Sequence, residues 1–192
     1  MTKEPRKALA IATIDTASAP HHGPDDFGPV VSSAHLARSQ SPALSEIEYG
    51  LMVFSSAFNR WMVRCMAAAG LPGLSATEVA ILHSVAHRGR ERRMADIALV
   101  LDIEDTHVVS YAIKKLEAAG LIKTRRQAKE KLVQISEEGF EACRRYGQLR
   151  EKLLLDLTRQ AGLREEKLSE NAALLRLLSG AYNQAARAAA TY

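Results

Sequence analysis

The sequence predicts a mostly α-helical fold carrying one small β-hairpin. Aromatic residues make up only 5% of the 192, and alanine and leucine dominate the apolar set. Apolar residues recur at steps of 3 and 4 over two long stretches, one early and one at the C-terminal end, which is the period of amphipathic helices. Between them, Arg92 to Gly139 changes rhythm. Two short helical stretches flank a tight turn, and two runs joined by a basic loop then follow.

The chain opens on residues 1–42, which differ from the rest. Five of the six prolines fall there, Pro5, Pro20, Pro24, Pro29 and Pro42, among serines, glycines and charges of both signs. Such a segment buries too little apolar surface to offset its ordering entropy, so a flexible tail is expected ahead of a domain at 43–192. The basic start, the apolar run Ala8 to Ile14 and an Ala-Ser-Ala faintly resemble an export signal, but Asp15 ends the run too early. His21 and His22 lack a third ligand, and no metal site is expected.

From Ala43 the pattern changes. Leu44, Ile47, Leu51, Phe54, Phe58, Trp61 and Cys65 alternate in steps of 3 and 4, a seam that predicts a long helix ending near Gly70 and calls for a partner helix. Pro72 and Gly73 break the chain. Ser75-Ala-Thr-Glu78 then has the form of a capping box, opening a helix with Val79, Leu82, Val85 and Ala86 inside. His83 and His87 have the spacing of two zincin histidines. Ser84 stands where the catalytic glutamate would be, so both read as surface or partly buried side chains. Arg88, Arg90, Arg92 and Arg93 crowd the next loop against Glu91 alone. Phosphate contacts and solvated loop charges are equal readings of them.

In the second short helix of the central block, Val109, Ala112, Ile113 and Leu116 form a core stripe. The opposite face carries His107, Ser110, Tyr111, Lys114 and Lys115, all able to hydrogen-bond. Gly120 supplies a left-handed stop, and Leu121 to Arg125 alternates as a strand. Two crossed helices followed by a hairpin make a winged helix-turn-helix, with its core at about 74–136.

Charge adds a direction. The formal net charge is +4, and Lys123, Arg125, Arg126, Lys129 and Lys131 stand against Glu130 alone. Those five cations and one anion account for the whole surplus, so the rest of the chain sums to zero. One concentrated cationic loop on a neutral body suits a polyanionic partner.

After the hairpin, Ser136-Glu-Glu-Gly starts a helix whose acidic first turn suits its dipole. Phe140, Cys143, Leu149, Leu153, Leu154 and Leu157 give it an intermittent apolar side, and Gly162 breaks it. A last helix, roughly Glu165 to Ala189, shows Leu168, Ala172, Leu175, Leu178 and Tyr182.

LEAAGLIKTRR followed by ISEEG resembles the MarR family of bacterial transcription regulators, over about residues 43–185. The resemblance implies a homodimer whose terminal helices intertwine. Leu44, Ile47, Leu51, Phe54, Phe58, Leu175, Leu178 and Tyr182 are the candidate interface. It also implies that His107, Ser110, Tyr111 and Lys114 enter the major groove, with Lys115 beside them, and that Arg125 and Arg126 lie along the backbone or in the adjacent minor groove. Lys129 and Lys131 complete the basic wing. The chain departs from the family pattern in having Lys129-Glu130-Lys131 where an Asp-x-Arg turn is usual, and in a longer turn at Asp102 to Asp105. Many relatives bind a small effector between the dimerisation helices and the DNA-binding lobe. Trp61, Cys65 and His83 would line such a pocket here and serve equally well as core.

The expected function is therefore sequence-specific binding of double-stranded DNA by a homodimeric transcription regulator, on an inverted-repeat operator. The alternative is a winged-helix module for a protein partner, favoured by Glu104 and Asp105 beside the recognition helix. No nucleophile elbow, P-loop, dinucleotide fingerprint or metal-ligand set is present, so neither an enzyme nor a cofactor is expected. Cys65 and Cys143 lack C-x-x-C spacing, which suits a reduced, cytoplasmic setting with both thiols packed as small hydrophobes. No apolar run approaches the ~20 residues needed to span a bilayer, and no membrane partner is expected.

Overall fold

Helix ends in this protein are set by short-range chemistry, and most follow from the residues already named. The computed structural model describes residues 28–192. The signal-like run, His21, His22 and most of the proline-rich tail lie outside them. The chain divides into two units, up to Ser55 and from Ser56 onward.

In the first unit, α1 is a single turn, Ala34–Ala37, and α2 (Pro42–Ala68) begins at Pro42. Proline is at home in a first helical turn, where its missing N–H has no intrahelical partner to lose. The Ser45 hydroxyl donates to the Leu36 carbonyl at 3.1 Å, and the Val30 N–H donates to the Glu46 carboxylate at 3.1 Å. The part of the proline-rich stretch that is described thus includes a helical turn bonded to the start of α2.

The second unit takes up the rest of α2, where Met62, Cys65 and Met66 enter the core. The next helix, α3 (Ala76–Ala86), starts with the capping box in full. The Ser75 hydroxyl accepts from the Glu78 N–H at 3.3 Å, and the Glu78 carboxylate accepts from the Ser75 N–H at 2.8 Å. A 3₁₀ turn at His87–Gly89 leads to β1 (Arg92–Arg93), α4 (Met94–Val100) and α5 (Thr106–Ala118). Asp105 caps α5, its carboxylate accepting from the His107 N–H at 2.8 Å. Gly120, at φ +73°, ends the helix: its own N–H donates to Glu117 O and that of Leu121 to Leu116 O. This double bond pattern requires a left-handed residue, which glycine adopts without strain.

The hairpin is β2 (Ile122–Gln127) and β3 (Glu130–Ile135), turning through Ala128 and Lys129. β1 adds to the far side of β3, giving an antiparallel sheet of order β1-β3-β2 with Arg92 opposite Val133. Then come α6 (Glu137–Arg150), a π-helical turn at Glu151–Leu155, α7 (Asp156–Gln160) and α8 (Glu165–Ala189). The stretch read as one intermittent helix after the wing therefore contains a π turn that its apolar spacing did not reveal.

The core of this unit joins the end of α2 to α3, α4, α5, the sheet and α6. Val79, Ile81, Leu82 and Val85 of α3 meet Ile97 of α4, Val109, Ile113 and Leu116 of α5, and Ile122 and Val133 of the sheet, all fully buried. Each such side chain contributes about 1.5–3 kcal/mol on burial. This packing holds α5 by its apolar stripe and leaves its polar face outward. α8 buries no residue within the chain.

Candidate nucleic-acid interface

Once the stripe of α5 is buried, the opposite face has no choice but to face out. His107, Tyr111 and Lys114 are exposed and Ser110 is half-buried. A shallow groove runs between the start of α3 and this face, lined by Ser75, Thr77, His107, Val108 and Tyr111.

Lys115 is placed differently. Its ammonium donates to the Gly73 carbonyl and to the Glu78 carboxylate, both at 2.8 Å, and so ties α5 to the capping box of α3. The Glu78 side chain is 5% exposed. Burial pushes its carboxyl up, but the hydrogen bonds from Lys115 and Ser75 outweigh burial, and it sits below the usual carboxylate range.

The wing projects from the sheet with its cations sorted by partner. Arg125 Nε and Nη2 meet the two carboxylate oxygens of Glu91 at 2.7 and 2.5 Å, a fork-on-fork pair. That bonding lowers the Glu91 carboxyl and raises Arg125 in turn. Lys131 lies 3.8 Å from Glu117, whose carboxylate also accepts from the Thr124 N–H and hydroxyl. Arg93 is bonded to Asp96 and reaches Glu130 at 3.3 Å. Lys114, Lys123, Arg126 and Lys129 have no carboxylate partner among the described residues. Sequence reasoning located the cations of this surface and missed the pairings that hold four of them. Most of the partner acids stand 34 to 37 residues away, and no local pattern marks such a pairing.

Trp61, Cys65 and His83 gather around Tyr146 of α6. The His83 and Tyr146 rings lie 4.6 Å apart, those of Trp61 and Tyr146 6.3 Å, both edge-on. The Cys65 thiol donates to the Tyr146 carbonyl at 3.7 Å. Burial lowers the His83 pKa, and its buried Nε2 has no partner among the described residues. Cys143 is half-buried, and burial pushes its thiol up to about 11.

Of the interface candidates in the first unit, Leu44 and Phe54 are exposed, and Ile47 and Leu51 are half-buried. In the second unit Phe58, Leu175 and Tyr182 are exposed and Leu178 is half-buried. Among the described residues there is no group of three His, Cys, Asp or Glu side chains that could hold a metal ion. No helix there is long and apolar enough to cross a membrane.

Residues 74–139 match the family model of the winged helix DNA-binding domain. Over 72–74% of its length the chain has the fold of solved MarR-type regulators. A MarR transcriptional regulator from Methanosarcina mazei Go1 superposes with a TM-score of 0.58 at 12% identity, covering 72% of this chain and 90% of its own. A MarR family regulator from Neisseria meningitidis gives 0.59 at 16% identity, with coverages of 74% and 95%. A mutant MarR from E. coli, solved in complex with operator DNA, gives 0.58 at 14% identity, with coverages of 73% and 98%. A search of curated proteins gives no match.

Proposed function

We propose that this chain, a winged helix protein with the fold of the MarR-type regulators, is itself a MarR-family transcription regulator that binds double-stranded DNA as a homodimer. The observation that carries the reading is the outward face of α5, polar and cationic over a fully buried stripe, set beside a wing whose Lys123, Arg126 and Lys129 have no carboxylate partner among the described residues. An α-helix fits the major groove, where base edges differ, so His107, Ser110, Tyr111 and Lys114 are the residues that read sequence. Arg126, Lys129 and Lys131 anchor on phosphates, with Arg125 beside them. Lys115 serves this surface from behind, by orienting the helix.

Dimerisation rests on α2 and α8. Leu44 and Val53 of α2 are exposed, and so are Leu174 and Leu177 of α8, the last at 74%. Apolar side chains in such numbers on long helices call for cover by another surface. A two-fold dimer prefers an inverted repeat with half-site centres about 10 base pairs apart. The working compartment is the cytoplasm. The role is regulatory, with no catalytic step.

A protein-partner reading retains one specific support: Leu99, 80% exposed, and Val100 stand at the end of α4, close in sequence to Glu104 and Asp105. Selection from random duplexes separates the two. Enrichment of an inverted repeat, with binding that weakens steeply as salt rises, is expected of the regulator. No enrichment and no salt dependence would turn the reading to a protein partner.

A further inference from the structure

The fork-on-fork ion pair on the wing occupies one of its two arginines. Arg125 lies on β2 opposite Leu132 of β3, and Glu91 immediately precedes β1 on the other side of β3. The Glu91 carboxylate thus reaches across the sheet and takes both Nε and Nη2 of Arg125. A phosphate presents the same two-oxygen fork as a carboxylate, and one pair of N–H groups cannot serve both. Arg126, the next residue along the strand, faces the other side of the sheet and has no carboxylate partner among the described residues.

Resting on the regulator reading, we infer that Glu91 is a built-in competitor for DNA phosphate that keeps Arg125 out of non-specific binding. While the pair holds, its net charge is zero, and Arg125 releases no counterion when the wing approaches a duplex. Both side chains are partly exposed, Arg125 at 52% and Glu91 at 32%, so the pair can open at modest cost. A phosphate or groove held in register by base contacts can displace Glu91. A duplex visited at random cannot hold that geometry long enough. Glu91 therefore widens the gap between specific and non-specific binding, and is a specificity-determining residue without touching the bases.

The test uses the full chain and a labelled duplex of mixed sequence, titrated at several salt concentrations between about 50 and 200 mM. Wild type is compared with Glu91→Gln, Arg125→Ala, the double variant and Arg126→Ala, with thermal melts to establish that each is folded. Removing the competitor should tighten binding of Glu91→Gln several-fold and steepen the slope of log K against log salt by about 0.9 per subunit. Arg125→Ala and the double variant should keep the wild-type slope, while Arg126→Ala should lose about one unit per subunit. A Glu91→Gln slope equal to wild type, or an Arg125→Ala loss as large as that of Arg126→Ala, overturns the inference and leaves the regulator reading standing. A wild type that does not bind duplex DNA withdraws both.

Discussion

The Lys115 ammonium lies 2.8 Å from the Glu78 carboxylate and 2.8 Å from the Gly73 carbonyl. This clamp ties the helix that carries the candidate reading face to the start of α3. It also occupies a cation that the sequence places among the DNA contacts. Lys115→Met keeps much of the stem and leaves the buried Glu78 carboxylate without its cation. A loss of about 1–3 kcal/mol in urea unfolding is expected, since the orphaned acceptor bears its desolvation cost. The salt slope on mixed-sequence duplex should stay at its wild-type value. A slope lowered by about one per subunit would mean that Lys115 touches a phosphate instead.

Acid should destabilise the protein in the range where histidine titrates. Burial lowers the His83 pKa in the folded state, so the unfolded chain binds the proton more readily. The stability that comes from keeping His83 neutral is present above its unfolded pKa of about 6.5 and is lost as pH falls below it. Glu78 adds a second loss lower down, because its depressed carboxyl contributes stability that is fully present above about pH 4.3 and is lost progressively as pH falls below it. Replacing His83 with phenylalanine removes the titrating ring and should flatten the melting temperature between about pH 7.5 and 5.5. A variant with the wild-type pH profile would show that another group carries the effect.

Gly139 gives the Ile-Ser-Glu-Glu-Gly segment its physical reason. Ser136 caps α6, accepting from the Gly139 N–H at 3.0 Å while donating to the Gly120 carbonyl at 2.7 Å. A side chain at Gly139 would run onto the Leu121 carbonyl oxygen and the Ile135 side chain. The Leu121 carbonyl cannot yield easily, because it is backbone and already accepts from the Ser136 N–H at 3.1 Å. Gly139→Ala should therefore cost about 1–3 kcal/mol or more by overpacking, despite alanine's better helix propensity. A neutral or stabilising substitution in denaturant unfolding would contradict this account.

The dimer can be tested on the helices that carry it. Leu51→Glu and Leu178→Glu each place a charge in the proposed apolar contact, and both residues are only half-buried within one chain. Sedimentation equilibrium should show a dimeric wild type at micromolar concentration, with each variant shifted to monomer or aggregate. A monomeric wild type would remove the homodimer from the proposal, and with it the reason for an inverted repeat.

The sequence by itself determined what depends on neighbours a few residues apart. The steps of 3 and 4 from Leu44 to Cys65, the capping box at Ser75 and Glu78, the stop at Gly120 and the alternation into the hairpin are all short-range patterns, and all appear in the fold. The buried stripe of Val109, Ala112, Ile113 and Leu116 follows from the same arithmetic, and it turned His107, Tyr111 and Lys114 outward. The state of each cation was decided by the tertiary structure alone. Lys115 and Lys114 are adjacent and chemically identical, yet one is clamped by an acid 37 residues away and the other is exposed. Arg125 and Arg126 differ in the same way, through Glu91 across the sheet. An ion pair forms where packing brings two charges within a few ångströms, and that distance is a property of the folded core.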